Sequence, residues 1–166
     1  MKGLKLTSTI ILFTIVFQSC SKEPDYFELN CQSESKVLFI SRRIPESADW
    51  RMYLMNCNGT DQRALSDKFV RCSRPVVSSD GKMIVFTTYE NKTYHLYEIE
   101  KDGHGLTLLS KGKQYCGNPS FSPDNSKIVF CKRDSFPDNT TDIYMIDTEG
   151  EDEIRITSKG DNSSPS

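Results

Sequence analysis

The stretch NPSFSPDNSKIVF at residues 118–130 nearly repeats the stretch RPVVSSDGKMIVF at residues 74–86. In both, a proline is followed by a short polar turn, a lysine and an alternating apolar run that ends in phenylalanine. The two prolines, Pro75 and Pro119, lie 119 − 75 = 44 residues apart. The chain therefore contains an internal repeat, and this repeat is the strongest indication of its fold.

The chain contains three units of the repeat, which can be aligned with one another. The first part of each unit carries a lysine and then apolar residues up to a phenylalanine: SKVLFISRR (35–43), GKMIVFTTY (81–89) and SKIVFCKRD (126–134). The second part carries a tyrosine and then a glycine: RMYLMNCNGT (51–60), YHLYEIEKDG (94–103) and DIYMIDTEG (142–150). Each unit closes on a short apolar stretch: RALS (63–66), LTLLS (106–110) and IRITS (154–158). The tyrosines Tyr53, Tyr97 and Tyr144 are 97 − 53 = 44 and 144 − 97 = 47 residues apart, so the period is about 45.

A period of this length, with several short strands in each unit, is typical of a β-propeller in which one repeat forms one blade. The run Ile84–Tyr89 is rich in β-branched and aromatic residues, which favour a largely buried strand. The segments Ser78–Gly81 and Ser122–Asn125 have the residues of tight turns, as do Asp102-Gly103 and Glu149-Gly150. We therefore predict an all-β fold, a β-propeller of four-stranded blades with about three blades present.

The phrases PSFSPDNSKIVF, DIYMIDTEG and IRIT together resemble the propeller repeat of the TolB family, and the resemblance covers roughly residues 35–166. The second unit departs from the motif at Ser79, where the third has Pro123, and the first unit lacks the opening Pro-x-x-Ser-x-Asp strand. TolB itself is the periplasmic partner of the lipoprotein Pal, so the resemblance implies an envelope binding module that holds a protein or peptide at its rim or channel mouth. The same repeat also occurs in the propeller caps of prolyl-oligopeptidase-type enzymes, so it indicates the fold better than the function.

With strands labelled A to D from the propeller axis outward, the chain reads B-C-D, A-B-C-D and A-B-C-D. Pro165 follows Pro119 by 165 − 119 = 46 residues, which predicts the first residue of a further strand A. Three blades form an incomplete ring, because closed propellers have about four blades or more. We expect the sequence to be the N-terminal part of a longer propeller or the product of a truncated reading frame; the alternative is that several copies complete a ring by association.

The N-terminus has the features of a bacterial lipoprotein leader. A short basic segment, Met1–Lys5, precedes an apolar run of twelve at residues 6–17, which is too short to span a bilayer as a helix but matches the apolar part of a signal peptide. A small residue, Ser19, then stands directly before Cys20, which resembles the lipobox in which cleavage precedes a lipidated cysteine. We predict a lipoprotein signal peptide at 1–19 and lipidation of Cys20; an ordinary signal peptide with a chance cysteine is the alternative.

Residues 20–34 are polar and contain Pro24, which predicts a short tether between a lipid anchor and the propeller at 35–166. Ser21 resembles the residue at this position in lipoproteins sorted to the outer membrane, and Lys22-Glu23 resembles a surface-export signal. The predicted location is therefore the cell envelope, lipid-anchored at the outer membrane and facing either the periplasm or the surface.

The charge of the chain argues against one class of partner, and its cysteine count limits disulfide pairing. The chain has 21 basic and 23 acidic residues, and without the leader's Lys2 and Lys5 the balance is 19 − 23 = −4. Basic clusters do not exceed pairs such as Arg42-Arg43, so we predict no nucleic-acid partner. If Cys20 of the six cysteines carries a lipid, five remain, and they cannot all pair within one chain.

The sequence contains no recognisable catalytic or metal-binding pattern. GxSxG is absent, and His95 and His104 stand on separate predicted elements, which does not supply a metal site. Four acids have structural explanations: Asp80 and Asp124 recur at a turn, and Asp142 and Asp147 flank the Tyr144 strand. We predict no catalytic residue, no metal and no cofactor.

Three further side chains leave alternatives open. Cys72 and Cys116 each lie three residues before a strand-A proline, near a predicted rim of the channel, where a thiol could bind a ligand or fill a buried space. Trp50, in the loop IPESADW (44–50), could stack on a sugar or a partner, or pack on its own blade.

Two functions of different classes follow. The first is a non-catalytic, membrane-anchored propeller that binds an envelope protein or peptide, as the resemblance to TolB implies. The second is the propeller portion of a larger envelope enzyme, a peptidase or a glycan-active enzyme, whose catalytic domain lies outside this chain. A degraded gene fragment is a third possibility.

Overall fold

The computed structural model describes residues 35–43, 49–65, 71–112, 114–133 and 140–166. Within these ranges the chain forms eleven β-strands and no helix. The strands are β1 (Lys36–Ser41), β2 (Arg51–Asn56), β3 (Arg63–Ala64), β4 (Cys72–Val77), β5 (Met83–Glu90), β6 (Thr93–Glu100), β7 (Thr107–Leu108), β8 (Tyr115–Phe121), β9 (Lys127–Arg133), β10 (Thr141–Asp147) and β11 (Ile154–Arg155). In the part of the chain that the structure describes, no helix is long and apolar enough to cross a membrane.

The strands form three antiparallel sheets that follow one another along the chain. Blade 1 has the order β1-β2-β3, blade 2 the order β4-β5-β6-β7, and blade 3 the order β8-β9-β10-β11. Each sheet is a meander of neighbouring strands, which is the construction of a propeller blade. The prediction of B-C-D, A-B-C-D and A-B-C-D, an all-β incomplete propeller, is confirmed.

The register of the sheets explains the phenylalanine and tyrosine of each unit. Phe39 lies opposite Tyr53, Phe86 opposite Tyr97, and Phe130 opposite Tyr144. The ring centroids of these pairs are 5.6, 6.0 and 6.1 Å apart. Each pair therefore forms an aromatic cross-strand contact at the same place in its blade.

The turns between the first two strands of blades 2 and 3 are closed by the recurring acids. Ser78 Oγ donates a hydrogen bond to Asp80 Oδ1 at 2.7 Å, and Ser122 Oγ donates to Asp124 Oδ1 at 2.5 Å. Hydrogen bonds from Ser122 and then Ser126 lower the pKa of Asp124 to about 2. The two acids thus act in the turns, as their repeat position predicted.

The innermost strands share a backbone irregularity. The register of β4 with β5 shifts between Ser73 and Val76, and Arg74, the residue before the strand-A proline, has a φ of 51°. Asn118 takes the same place in β8 with a φ of 50°. Ser164 repeats this conformation before Pro165 with a φ of 62°, and its Oγ accepts a hydrogen bond from Asn118 Nδ2 at 3.2 Å. Ser164 therefore has the backbone that precedes the predicted proline of a further innermost strand, although residues 161–166 form no strand.

The core lies between the blades. One cluster joins blade 1 to blade 2: Leu38, Met52, Leu54, Leu65, Cys72, Ile84, Phe86 and Ile99. A second joins blade 2 to blade 3: Val85, Leu96, Leu109, Cys116, Ile128, Phe130, Tyr144 and Ile146. Alternate residues of β5 thus point to opposite neighbours, so that blade 2 is packed on both faces.

Candidate functional site

The predicted lipidation site Cys20, the signal peptide at 1–19 and the tether at 20–34 lie outside the described residues. The two histidines are on different elements, as expected: His95 lies in β6, and His104 lies in the turn after it, where its N–H donates to Asp102 Oδ1 at 2.9 Å. Within the described ranges, no group of three or more His, Cys, Asp or Glu side chains is arranged to hold a metal ion.

The buried acid Asp142 is occupied within its own blade. Its carboxylate accepts hydrogen bonds from Thr157 Oγ1 at 2.9 Å, from Asn162 Nδ2 at 3.3 Å and from the guanidinium of Arg155. Burial alone would raise the pKa of Asp142, but the hydrogen bonds of Thr157 and Arg155 and the Arg155 charge hold it below its ordinary value. Asp147 Oδ1 accepts from the Glu151 N–H at 2.7 Å. Both acids have the structural role that the sequence predicted.

Cys72 and Cys116 were expected just before strand A, near a rim of the channel, and the structure places them at the start of the innermost strands. Cys72 is the first residue of β4 and Cys116 the second of β8, and both are buried between blades. The innermost strands begin earlier than their prolines, because the positive φ before each proline bulges the strand without ending it. Burial raises the pKa of both thiols to about 12, which suits a small core residue.

The structure also describes Cys57 and Trp50. Cys57 is disulfide-bonded. Trp50 is 43% exposed, and the guanidinium carbon of Arg42 lies 5.8 Å from its ring centroid. The ring is therefore open to solvent on one side while it contacts its own blade.

A pocket of about 340 Å³ opens between blades 2 and 3. Its lining includes Ser78, Asp80, Met83 and Glu98 from blade 2, and Phe121 and Glu149 from blade 3. The turns β4–β5, β6–β7, β8–β9 and β10–β11 all lie at one edge of the blades, because successive strands alternate in direction. The pocket is at this edge, which we call the turn edge.

The turn edge is held together by direct contacts between the two blades. Asn125, in the β8–β9 turn, accepts a hydrogen bond through Oδ1 from the Ser79 N–H at 2.8 Å. Ser79 Oγ also donates to the Pro123 carbonyl at 3.4 Å. The repeated turns of neighbouring blades therefore fix one wall of the pocket.

Glu98 is the exceptional residue of this pocket. It is buried, with 5% of its surface exposed, and its Oε1 has no hydrogen-bond partner among the described residues. Burial first, and then the nearby charge of Glu149, raise the pKa of Glu98 from 4.5 to about 7. A carboxyl group in this state is poised between its neutral and charged forms near neutral pH, which is a common property of functional sites.

The other two acids of the pocket are more exposed than Glu98, and one of them, Asp80, has a charged partner. Asp80 Oδ2 lies 3.2 Å from Lys82 Nζ, and Asp80 Oδ1 accepts from Ser78 Oγ and the Lys82 N–H. Glu149 is exposed at the mouth, in the β10–β11 turn. With Asp80 balanced by Lys82, the pocket retains a negative potential from Glu98 and Glu149.

Sequence reasoning missed Glu98, although the repeat contains a signal for it. The residue after the repeated tyrosine of β2, β6 and β10 is Leu54, Glu98 and Met145 respectively. Glu98 lies two residues after Leu96, on the face of β6 that meets blade 3. An acid at a position that is apolar in the other two units marks a site where the repeat has been altered.

The comparisons with known proteins agree with this architecture. The TolB beta-propeller domain profile matches residues 29–166. The Tol-Pal system protein TolB of Francisella tularensis is 31% identical over 83 residues, which is 50% of this chain and 19% of that protein. The uncharacterized peptidase YuxL of Bacillus subtilis is 27% identical over 149 residues, covering 66% of this chain and 22% of that protein.

The fold comparison gives the same result. The crystal structure of TolB from Acinetobacter baumannii superimposes with a TM-score of 0.62 and 19% identity, over 74% of this chain and 30% of that one. The chain thus spans about a fifth of the length of the sequence relatives it matches. The profile match, the repeated strands and the three stacked blades lead to one conclusion: the chain belongs to the TolB beta-propeller domain family.

Proposed function

We propose that this protein is a non-catalytic, lipid-anchored binding module of the cell envelope, which holds a protein or peptide partner at its turn edge. The observation that carries the proposal is the open, acidic pocket between blades 2 and 3, with the buried Glu98 inside it. Propeller blades commonly carry their ligand sites on the loops at one edge, while the sheets serve as the scaffold. The similarity to the Tol-Pal system protein TolB supports an envelope role of this kind.

The lipid anchor has its own support and its own test. A basic segment, an apolar run of twelve residues and the Ser19-Cys20 pair favour cleavage and acylation at Cys20. Trypsin would release the peptide Cys20–Lys22 from the mature N-terminus, so mass spectrometry of the detergent-extracted protein should find this peptide with added acyl mass. A Cys20→Ala variant is the control and should leave the membrane fraction. An unmodified Cys20 peptide in the native protein would contradict the anchor.

Partner binding can be tested by placing a photo-crosslinking amino acid at Thr148, which lines the pocket. The matched control is Lys92, which is exposed in the β5–β6 turn at the opposite edge. In intact envelopes we expect a discrete crosslinked band from position 148 and none from position 92. Equal crosslinking at both positions, or none at 148, would count against a partner at the turn edge.

The second candidate function is the propeller portion of a larger envelope enzyme that acts on peptides or glycans. The similarity to YuxL, described as a peptidase, favours it, since this chain covers 22% of that protein. Peptide mapping of the native gene product separates the two candidates. Hydrolase sequence in the same polypeptide would support the enzyme, and further propeller repeats alone would support the binding module.

A further inference from the structure

We propose that the pocket between blades 2 and 3 binds a single cationic side chain, the ammonium of a lysine or the guanidinium of an arginine, with Glu98 as its buried counter-charge. The proposal rests on the proposed function and specifies the chemistry of the partner at the turn edge. The partner is therefore expected to present a basic side chain to this edge.

Glu98 has hydrogen-bonding capacity that no described residue uses. A buried carboxyl oxygen without a partner is unfavourable, and native proteins pair most such groups. The same position holds Leu54 in blade 1 and Met145 in blade 3, so the fold itself does not require an acid there. A ligand that donates hydrogen bonds to Glu98 supplies the missing partner.

The sign of the charge in the pocket favours a cation as the ligand. Asp80 is already paired with Lys82, whereas Glu98 and Glu149 leave the pocket negative. A phosphate or carboxylate ligand would be repelled by these two groups. A cation is attracted by both, first at the exposed Glu149 and then at the buried Glu98.

Part of the pocket lining is apolar. Met83 and Phe121 face the same space from opposite blades. Lysine and arginine carry their charge on an aliphatic stem, which packs against apolar walls while the head reaches the acid. Among the described residues, the acids of the pocket are not grouped closely enough to hold a metal ion, which needs several ligands at once. The lining therefore fits an organic cation.

Binding should depend on pH, because a cation favours the ionised form of Glu98. The charged groups that line the pocket with Glu98 are Glu149 from blade 3 and Asp80 from blade 2, and Asp80 is paired with the exposed Lys82. With the pKa of Glu98 at about 7, its ionised fraction rises about tenfold between pH 6 and pH 8. The affinity for the cation should rise by a similar factor over this range.

The experiment uses the full chain with ¹³C-methyl-labelled methionine and two short probes. The probes are the blocked tripeptides acetyl-Gly-Lys-Gly-amide and acetyl-Gly-norleucine-Gly-amide, which differ in the side-chain charge. The Met83 methyl reports on the pocket, and the Met52 methyl, buried between blades 1 and 2, is the internal control. We expect the lysine probe to shift the Met83 signal in a saturable way, and to leave Met52 unchanged.

Three variants make the result specific. Glu98→Gln keeps the size of the side chain and should weaken binding of the lysine probe about tenfold. Glu149→Gln at the mouth should weaken it by a smaller factor, and Glu100→Gln, an exposed acid of β6 outside the pocket lining, should leave it unchanged. Unchanged binding in Glu98→Gln, or equal shifts with the norleucine probe, would overturn the proposal.

The result of this binding experiment does not depend on the result of the crosslinking experiment at Thr148. A crosslink at Thr148 without binding of the lysine probe would support the proposed binding function and contradict only the proposal of a cationic ligand. Lysine binding in vitro without a crosslink in the envelope would support the chemistry of the pocket and count against a protein or peptide partner at this edge.

Discussion

Blades 1 and 2 meet through the same repeat positions as blades 2 and 3, yet the two interfaces differ at the residue that follows the repeated tyrosine. At the first interface this residue is Leu54, which belongs to one apolar cluster with Val77 and Leu106. At the second interface it is Glu98, and a pocket of about 340 Å³ lies beside it. The first interface is closely packed and apolar at this position, whereas the second interface has a polar pocket beside its packed core.

The remainder of the two interfaces is closely matched. Phe86 and Phe130 are both fully buried, and Cys72 and Cys116 both fill the start of an innermost strand. The shared residues hold neighbouring blades together, and the residue that departs from the repeat provides the site. In repeat proteins the framework is set by nearest-neighbour contacts, so one position can change without loss of the fold.

The largest expected effect comes from removing a shared residue. Phe86→Ala and Phe130→Ala each delete a fully buried ring at one of the two interfaces and should lower the free energy of unfolding by about 4 kcal/mol. Phe39→Ala is the matched control, because Phe39 takes the same position in blade 1 but is partly exposed. Urea unfolding followed by circular dichroism measures all three. Equal losses for all three would mean that contact between blades is not what makes these rings important.

The next effect comes from making the first interface resemble the second. Leu54→Glu places a carboxyl group in an apolar cluster where only 8% of the leucine is exposed, and it should lower the free energy of unfolding by about 3 kcal/mol. Leu108→Glu makes the same exchange at a position that is 50% exposed, and it should change the stability by less than about 0.5 kcal/mol. If Leu54→Glu proved as mild as its control, the two interfaces would tolerate an acid equally well.

Much of this framework could be predicted from the sequence because its signals are local. The spacing of Tyr53, Tyr97 and Tyr144 predicted the number of blades, and the residues around Asp80 and Asp124 predicted the turns. Each of these signals depends on a few neighbouring residues. The start of β4 was placed too late, because a proline in the sequence does not reveal that Arg74 bulges the strand and lets it begin at Cys72.

The site could not be predicted in the same way. Glu98 is notable only when the face of β6 that meets blade 3 is known, together with Met83, Phe121 and Glu149 from other strands and turns. Those contacts depend on the packing of two blades, which the sequence pattern does not describe. What the sequence does contain is the departure itself, the acid that stands where the other units have Leu54 and Met145.

The smallest effect, and the most informative about the site, is expected from Glu98→Leu, which makes the second interface resemble the first. Removing a buried carboxyl with an unpaired oxygen should raise the free energy of unfolding by about 1 kcal/mol near neutral pH. Because the pKa of Glu98 is raised in the fold from 4.5 to about 7, the native protein loses stability as the pH rises through this interval, and the leucine variant does not.

The gap in Tm between the variant and the native protein should therefore be small at pH 4, where Glu98 is neutral in the folded protein, and should widen steadily as the pH rises to 8. The lowered pKa values of Asp80, Asp124 and Asp142 act on both proteins alike, so they cancel in this difference. A gap that stays constant with pH would mean that Glu98 does not titrate in this range. A leucine variant less stable than the native protein would mean that Glu98 supports the fold, and the contrast between the two interfaces would then concern packing and not ligand binding.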